Sequence, residues 1–161
     1  MSNSKDSKKT VEFTRLFDAP RELVFEMFTM EQHITKWWGP KGFTNPNTKL
    51  DVRVNGDVWL DMMWPDGTLI YNRGEYLEID KPNKLVFVLR ALKDSRGVPQ
   101  LETHNTFVFS DEGDKTKMHM IAIVTKSNAN TVDAISGMYQ GWSESLDKLE
   151  RTVSEAIKEQ T

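Results

Sequence analysis

The chain of 161 residues contains no cysteine. That excludes a disulfide framework, a thiolate nucleophile and any cysteine-ligated metal. No stretch approaches the roughly 18 consecutive apolar residues that a membrane helix needs, so no membrane insertion is expected. Basic residues are not in excess: 21 Lys and Arg against 24 Asp and Glu leave a formal charge of −3. Nothing in that balance creates the positive field a nucleic-acid partner requires, so none is expected. The HExxH, GxSxG, phosphate-loop and dinucleotide signatures are all missing. No nucleophile stands beside an identifiable base. The three histidines, His33, His104 and His119, are far apart and in no metal-ligand spacing. Neither a metal nor a cofactor is expected. The opening MSNSKDSKKT carries charge but no apolar run behind it. It reads as a solvated tail over residues 1–9 rather than a secretory signal, and a cytoplasmic location is the expectation.

What is present is ordinary globular material, with 38% hydrophobic and 28% charged residues. A chain of this length can bury roughly 70% of its unfolded surface and needs no covalent staple. Residues 10–161 are read as a single domain.

The order of periodicities is informative. TVEFTRLF (10–17) alternates as a strand, with Val11, Phe13, Arg15 and Phe17 on one face. DAPRELVFEMF follows with helical spacing, and Pro20 suits a first turn. Thr29-Met30-Glu31-Gln32 has the form of a capping box, which predicts a second short helix ending at Gly39-Pro40. Strands then dominate: 48–54, 57–64, 68–79, 84–92, 104–110 and 116–124, separated by Asn-Gly, Asp-Gly and Pro-Asn turns. Gly74 inside the third of these reads as a bulge. The period changes after residue 130. Val132, Ile135, Met138, Tyr139, Trp142, Leu146, Leu149, Val153 and Ile157 recur at steps of three and four. One helix from about 131 to 159, roughly 43 Å long, is predicted, capped by Asn130 or Thr131. Strands in succession followed by one long helix argue for an α+β domain with an antiparallel meander.

Three quoted stretches carry a resemblance. "TRLFDAPRELVFEMFTMEQHITKWWGPKGFT", "GEYLEIDKPNKLVF" and "GWSESLDKLERTV" occur in order between about residues 12 and 153. Together they resemble the heat-shock-protein-90 ATPase-activator homologue family of the START-like (SRPBCC, birch-allergen-like) superfamily. The resemblance implies a helix-grip fold: about seven antiparallel strands curled around the C-terminal helix, two short helices after the first strand, and a cavity between sheet and helix. It also implies relatives among lipid-binding domains and polyketide cyclases, and a chaperone as a possible partner.

A cavity gives the pair Trp37-Trp38 a rationale. Neighbours on a helix point about 100° apart, so one indole can seal the core while the other meets the cavity. The expected liners are Trp38, Phe43, Trp59, Met63, Tyr71, Phe87, Phe107, Met120, Met138 and Trp142. Plain core packing explains the same residues equally well. Met118, Met120 and Ala122 share a face that is taken as inward, opposite Lys117 and His119. Candidate polar anchors are Arg15, Asp61, Glu75 and His104, with Arg73 also a candidate for the inner face. Arg15 with Asp61 or Glu75 reads as a structural ion pair, as an anchor for a ligand's polar end, or as the setting of a general base. The function these features favour is non-covalent binding of a small hydrophobic molecule. A cyclase or hydratase using an inward carboxylate and a chaperone-interaction module stay open, as does a homodimer.

Overall fold

In a computed structural model, which describes residues 9–160, strand β1 (Thr10–Phe17) leads into helices α1 (Arg21–Thr29) and α2 (Glu31–Ile34). Strands β2 (Thr48–Leu50), β3 (Asp57–Leu60), β4 (Met62–Met63), β5 (Leu69–Ile70), β6 (Asn72–Asp80), β7 (Lys84–Lys93), β8 (Pro99–Glu112) and β9 (Lys115–Lys126) follow. A 3-10 turn at Ala129–Thr131 then precedes α3 (Val132–Ser136) and α4 (Met138–Glu159). The predicted tail lies almost wholly outside the described residues. Its last residue, Lys9, belongs with the sheet, because its carbonyl accepts the Val124 N–H at 2.9 Å.

Seven strands form one antiparallel sheet in the order β1-β9-β8-β7-β6-β3-β2. The chain runs as a meander from β6 to β9, and β1 closes onto β9. β4 and β5 make a separate two-stranded ribbon. The inner face of the sheet carries Val11 and Phe17, Leu85 and Phe87, Phe107 and Phe109, and Met118, Met120 and Ala122, all buried. Against it α4 presents Leu146, Leu149, Val153 and Ala156. The α+β helix-grip architecture expected from the sequence is therefore present.

Several local expectations are corrected. Thr29 does not cap α2. Its hydroxyl bonds back to the Phe25 carbonyl, and Met30 stands at the N-cap without a side-chain bond. Glu31 is used differently, accepting the Leu50 N–H at 3.0 Å and tying α2 to β2. The strand predicted over 48–54 ends at Leu50. Beyond it Arg53 donates to the Asp51 carbonyl and Asn55 takes a left-handed φ of 68°, folding the chain back and exposing Val52 and Val54. The run 57–64 breaks at Asp61, and the run 68–79 breaks at Tyr71. The bulge in β6 falls between Tyr76 and Glu78, not at Gly74. Gly74 answers a different need: a Cβ there would lie 1.8 Å from the Val88 carbonyl oxygen of the paired strand.

The long C-terminal helix is two helices. Gly137 separates α3 from α4, and Ser136 bonds back to the Val132 carbonyl at 2.8 Å, a pattern that bends helices. The cap comes earlier than expected, from Asn128, which forms a reciprocal capping box with Thr131. Val132, predicted on the buried stripe, is exposed.

Candidate functional site

The paired tryptophans take different places. Trp37 is fully buried, with its Nε1–H donating to the Met27 carbonyl at 3.0 Å and its ring edge-on to Phe28. The Trp38 ring touches that of Trp37 at 5.6 Å and extends the cluster to α4, edge-on to Trp142 at a centroid distance of 5.1 Å. Behind it the chain turns out through Gly39, whose φ of 97° favours glycine and where a Cβ would crowd Met62 and Phe43 at 3.3 Å. The Gly39-Pro40 segment is pinned to α4. Lys148 Nζ donates to the Pro40 carbonyl at 3.2 Å, and the Lys41 N–H donates to Glu144 at 3.1 Å. Burial, then the neighbouring Arg151, hold the Lys148 ammonium below its usual pKa against the pull of Glu144.

These contacts wall one side of a cavity of about 200 Å³. Trp38, Gly39 and Pro40 form that side, with Met62 of β4, Ile70 of β5 and Asn72 of β6 beside them. β7 contributes Leu89, Ala91 and Leu92, and β8 contributes Leu101, Thr103 and Asn105. The helical wall is Ala134, Gly137, Met138, Gly141, Trp142 and Ser145. The break at Gly137 sits in this wall, so both helices contribute to it.

Of the ten expected liners, Trp38, Met138 and Trp142 lie at the cavity. Phe87, Phe107 and Met120 are on the inner face but lie in the buried core, where Phe87 stacks on Phe107 at 5.5 Å. Phe43 packs on Trp64 instead, at 4.6 Å. Met63 pairs with Leu69 in the small ribbon, and its neighbour Met62 lines the cavity. Trp59 and Tyr71 face away: inward positions on β3 are Val58 and Leu60, and Ile70 and Asn72 flank Tyr71. On the outer face their rings alternate with cations. Arg73 lies over both, 4.0 Å from Trp59 and 5.0 Å from Tyr71, while Lys49 covers Trp59 and Lys93 covers Tyr71.

None of the four polar anchors is at the cavity. Arg15 reaches neither Asp61 nor Glu75. It binds α4, with Nη1 3.1 Å from Asp147 and 4.0 Å from Glu150. Asp61 is fully buried and partnered by Arg73, the Asn72 N–H and the Asn47 amide. Burial pushes its carboxyl up, but the bonds from Arg73, Asn72 and Asn47 outweigh burial and hold the pKa below the ordinary value. A general base needs a raised pKa and a path to substrate, so this carboxylate is a structural clamp. Glu75 is on the outer face, held bidentately by Arg90, which also binds Glu102. The hydrogen bond to Glu75 outweighs burial and, with Glu102, raises the Arg90 pKa. His104 alternates to the outer face of β8, leaving Thr103 and Asn105 inward. His119 is likewise outward and pairs with Glu12. Among the described residues no cluster of side chains has the makings of a metal site.

The polar residues that do meet the cavity are Asn72, Thr103, Asn105 and Ser145. Their signal was legible in part. Asn105 shares strand parity with Leu101, Phe107 and Phe109, and a polar residue on an apolar face is the notable one.

A seven-stranded antiparallel sheet gripping a C-terminal helix over a cavity defines a helix-grip protein of the START-like class. A family model described as Activator of Hsp90 ATPase homolog 1-like protein matches residues 18–154, and the chain belongs to that family. Solved structures give the same fold. A protein from Arthrobacter aurescens has a TM-score of 0.81 at 22% identity, covering 96% of this chain and 90% of its own. One from Chromobacterium violaceum has a TM-score of 0.77 at 24% identity, covering 90% and 96%. The AHSA1 protein from Silicibacter pomeroyi has a TM-score of 0.74 at 20% identity, covering 91% and 99%. No curated protein matches the chain. Among the described residues no helix is long and apolar enough to cross a membrane.

Proposed function

We propose that this protein binds a small hydrophobic molecule, non-covalently, in the space between sheet and α4. The observation that carries this reading is the cavity of about 200 Å³, walled by Trp38, Trp142, Met138 and aliphatic side chains. An engineered apolar cavity of about 150 Å³ already accommodates benzene, so the volume suits a ligand of one or two rings. Apolar walls with a few fixed polar groups are the usual makeup of a small-molecule site. A cytoplasmic setting fits the cysteine-free composition.

The enzyme reading draws no support from this site, because no titratable side chain is among its lining residues. The family's description attaches an activator role to a chaperone ATPase. A partner surface of that kind calls for a contiguous apolar patch. On the outer face, exposed Leu16 and Val108 instead alternate with Lys117 and the His119–Glu12 pair.

Methyl and indole NMR against a library of apolar compounds tests the proposal. Binders are expected to shift Trp38, Met138 and Trp142 and to lose those shifts in Ala91→Phe, whose ring would occupy the cavity. If no compound moves these resonances, the reading fails.

A further inference from the structure

The polar groups at the cavity are of one kind. Asn72, Thr103, Asn105 and Ser145 are all neutral, and no charged side chain joins them in the lining. Asn105 is 1% exposed, and its Nδ2 donates to the Phe87 carbonyl, the Thr103 carbonyl and the Thr103 hydroxyl at 3.1–3.3 Å. Two of those partners are backbone carbonyls, which only accept. That fixes the amide orientation and turns Oδ1 to the remaining side. No donor within the protein meets Oδ1 among the described residues, and Asn105 lines the cavity. The Asn72 N–H is taken by Asp61, while its side-chain amide has no protein partner among the described residues. The Ser145 hydroxyl, on a residue 4% exposed, is in the same position.

The carboxylates next in sequence to this wall are held elsewhere or turned to solvent. Asp61 is bound by Arg73, Asn72 and Asn47, Glu102 by Arg90 and Thr125, and Glu144 by the Lys41 N–H and Gln140, while Asp133 is exposed. A ligand cation would therefore find no anion in the lining. A ligand carboxylate would find no guanidinium or ammonium in the lining, and Lys148, which borders it, is engaged with the Pro40 carbonyl. A charge seated in the depth of such a site without a counter-charge is disfavoured. A neutral hydroxyl or N–H placed against Asn105 Oδ1 gains a direct hydrogen bond to an acceptor that no protein donor meets among the described residues.

The geometry points to an uncharged ligand, of about two fused aromatic rings, that donates a hydrogen bond to Asn105 while its rings lie against Trp38 and Trp142. This rests on the binding function proposed above and narrows its ligand class. Fatty acids and aromatic acids are excluded by it; phenol-like and indole-like molecules are selected. The perpendicular indoles offer one face and one edge, the arrangement aromatic rings prefer.

The test compares three matched compounds at neutral pH on the full chain: naphthalene, 2-naphthol and 2-naphthoate. Calorimetry gives affinities, and indole and methyl NMR shifts locate each compound. The expected result is 2-naphthol bound at Trp38, Trp142 and Met62, with naphthalene and 2-naphthoate each about tenfold weaker or worse. Asn105→Leu is expected to erase the advantage of 2-naphthol over naphthalene. Since Asn105 is buried, Ser145→Ala and the wild-type comparison keep the test informative if that variant does not fold. Binding of 2-naphthoate as tight as 2-naphthol at these residues would overturn the inference and leave the binding function standing. Equal affinity for naphthalene and 2-naphthol would overturn the hydrogen-bond part. Failure of all three to shift the cavity resonances would overturn the binding function and this inference together.

Discussion

The indole of Trp38 stands edge-on to that of Trp142, their planes 86° apart. Through this contact the segment after α2 meets α4 across about a hundred residues of intervening sequence. Trp38 is nearly buried, 4% exposed, while Trp142 keeps part of its surface open beside the cavity.

The two neighbouring tryptophans should respond differently to truncation. Trp37→Phe removes buried volume and the bond to the Met27 carbonyl, and is expected to cost about 2–3 kcal/mol. Trp142→Phe borders an existing cavity and should cost less than about 1.5 kcal/mol. Urea denaturation midpoints at constant slope would measure both. Equal losses would contradict the assignment of Trp37 to the core and Trp142 to the cavity wall.

Asp61 should make the protein sensitive to acid. Its folded pKa lies below the unfolded aspartate value of about 3.9, so its contribution is complete above that value. It is lost as pH falls through the lower, folded pKa. Asp61→Asn leaves Arg73 without its anion and is expected to cost about 3 kcal/mol at neutral pH. The deficit against wild type should shrink below about pH 4, as the wild-type carboxyl protonates. Parallel stability curves of the two proteins through that range would refute the clamp.

Gly74 is required by space. Gly74→Ala puts a methyl into the Val88 carbonyl, a backbone atom of the paired strand that cannot rotate away. A loss of more than about 2 kcal/mol is expected, with weakened amide protection on both sides of the β6–β7 pair. A thermal melt unchanged from wild type would show that the strands can separate locally at little cost.

Gly137 is different. Its φ of −88° is open to any residue, and a Cβ would meet only the Asp133 and Ala134 carbonyls at 3.6 and 3.8 Å. Gly137→Ala should therefore be tolerated and should stabilise by about 0.5–1 kcal/mol, through a less flexible unfolded chain. Circular dichroism at 222 nm and the melting temperature report it. A clear loss of stability would mean that the bend needs glycine.

How much could be read in advance varies from element to element. β7 and β9 were legible as strands because KLVFVLRAL is a short, continuous β-prone apolar run bounded by turn residues, and TKMHMIAIV opens with Met118 and Met120 alternating against Lys117 and His119. Met118 and Met120 were assigned inward on that basis, and both are fully buried. The run DVWLDMMW has apolar residues at both parities, so alternation could not say which side was in. Trp59 is out because Lys49 and Arg73 cover its ring, an outcome that depends on strands distant in sequence. Arg15, Asp61 and Glu75 were recognised as charges needing partners, yet the pairing could not be. Register and helix docking assign Asp147 to Arg15, Arg73 to Asp61 and Arg90 to Glu75.

By itself, the sequence determined the succession of periods, the stops that punctuate them and hence an α+β domain with an antiparallel meander, while its helix-grip form was implied by the family resemblance. Those are local consequences of side-chain spacing and backbone sterics. Tertiary structure alone decided that three of the ten proposed liners reach the cavity, that its polar groups are neutral amides and hydroxyls, and that α4 begins only after Gly137. The reason is that burial on one face of a strand, and the identity of an ion-pair partner, depend on what the rest of the chain packs against that face.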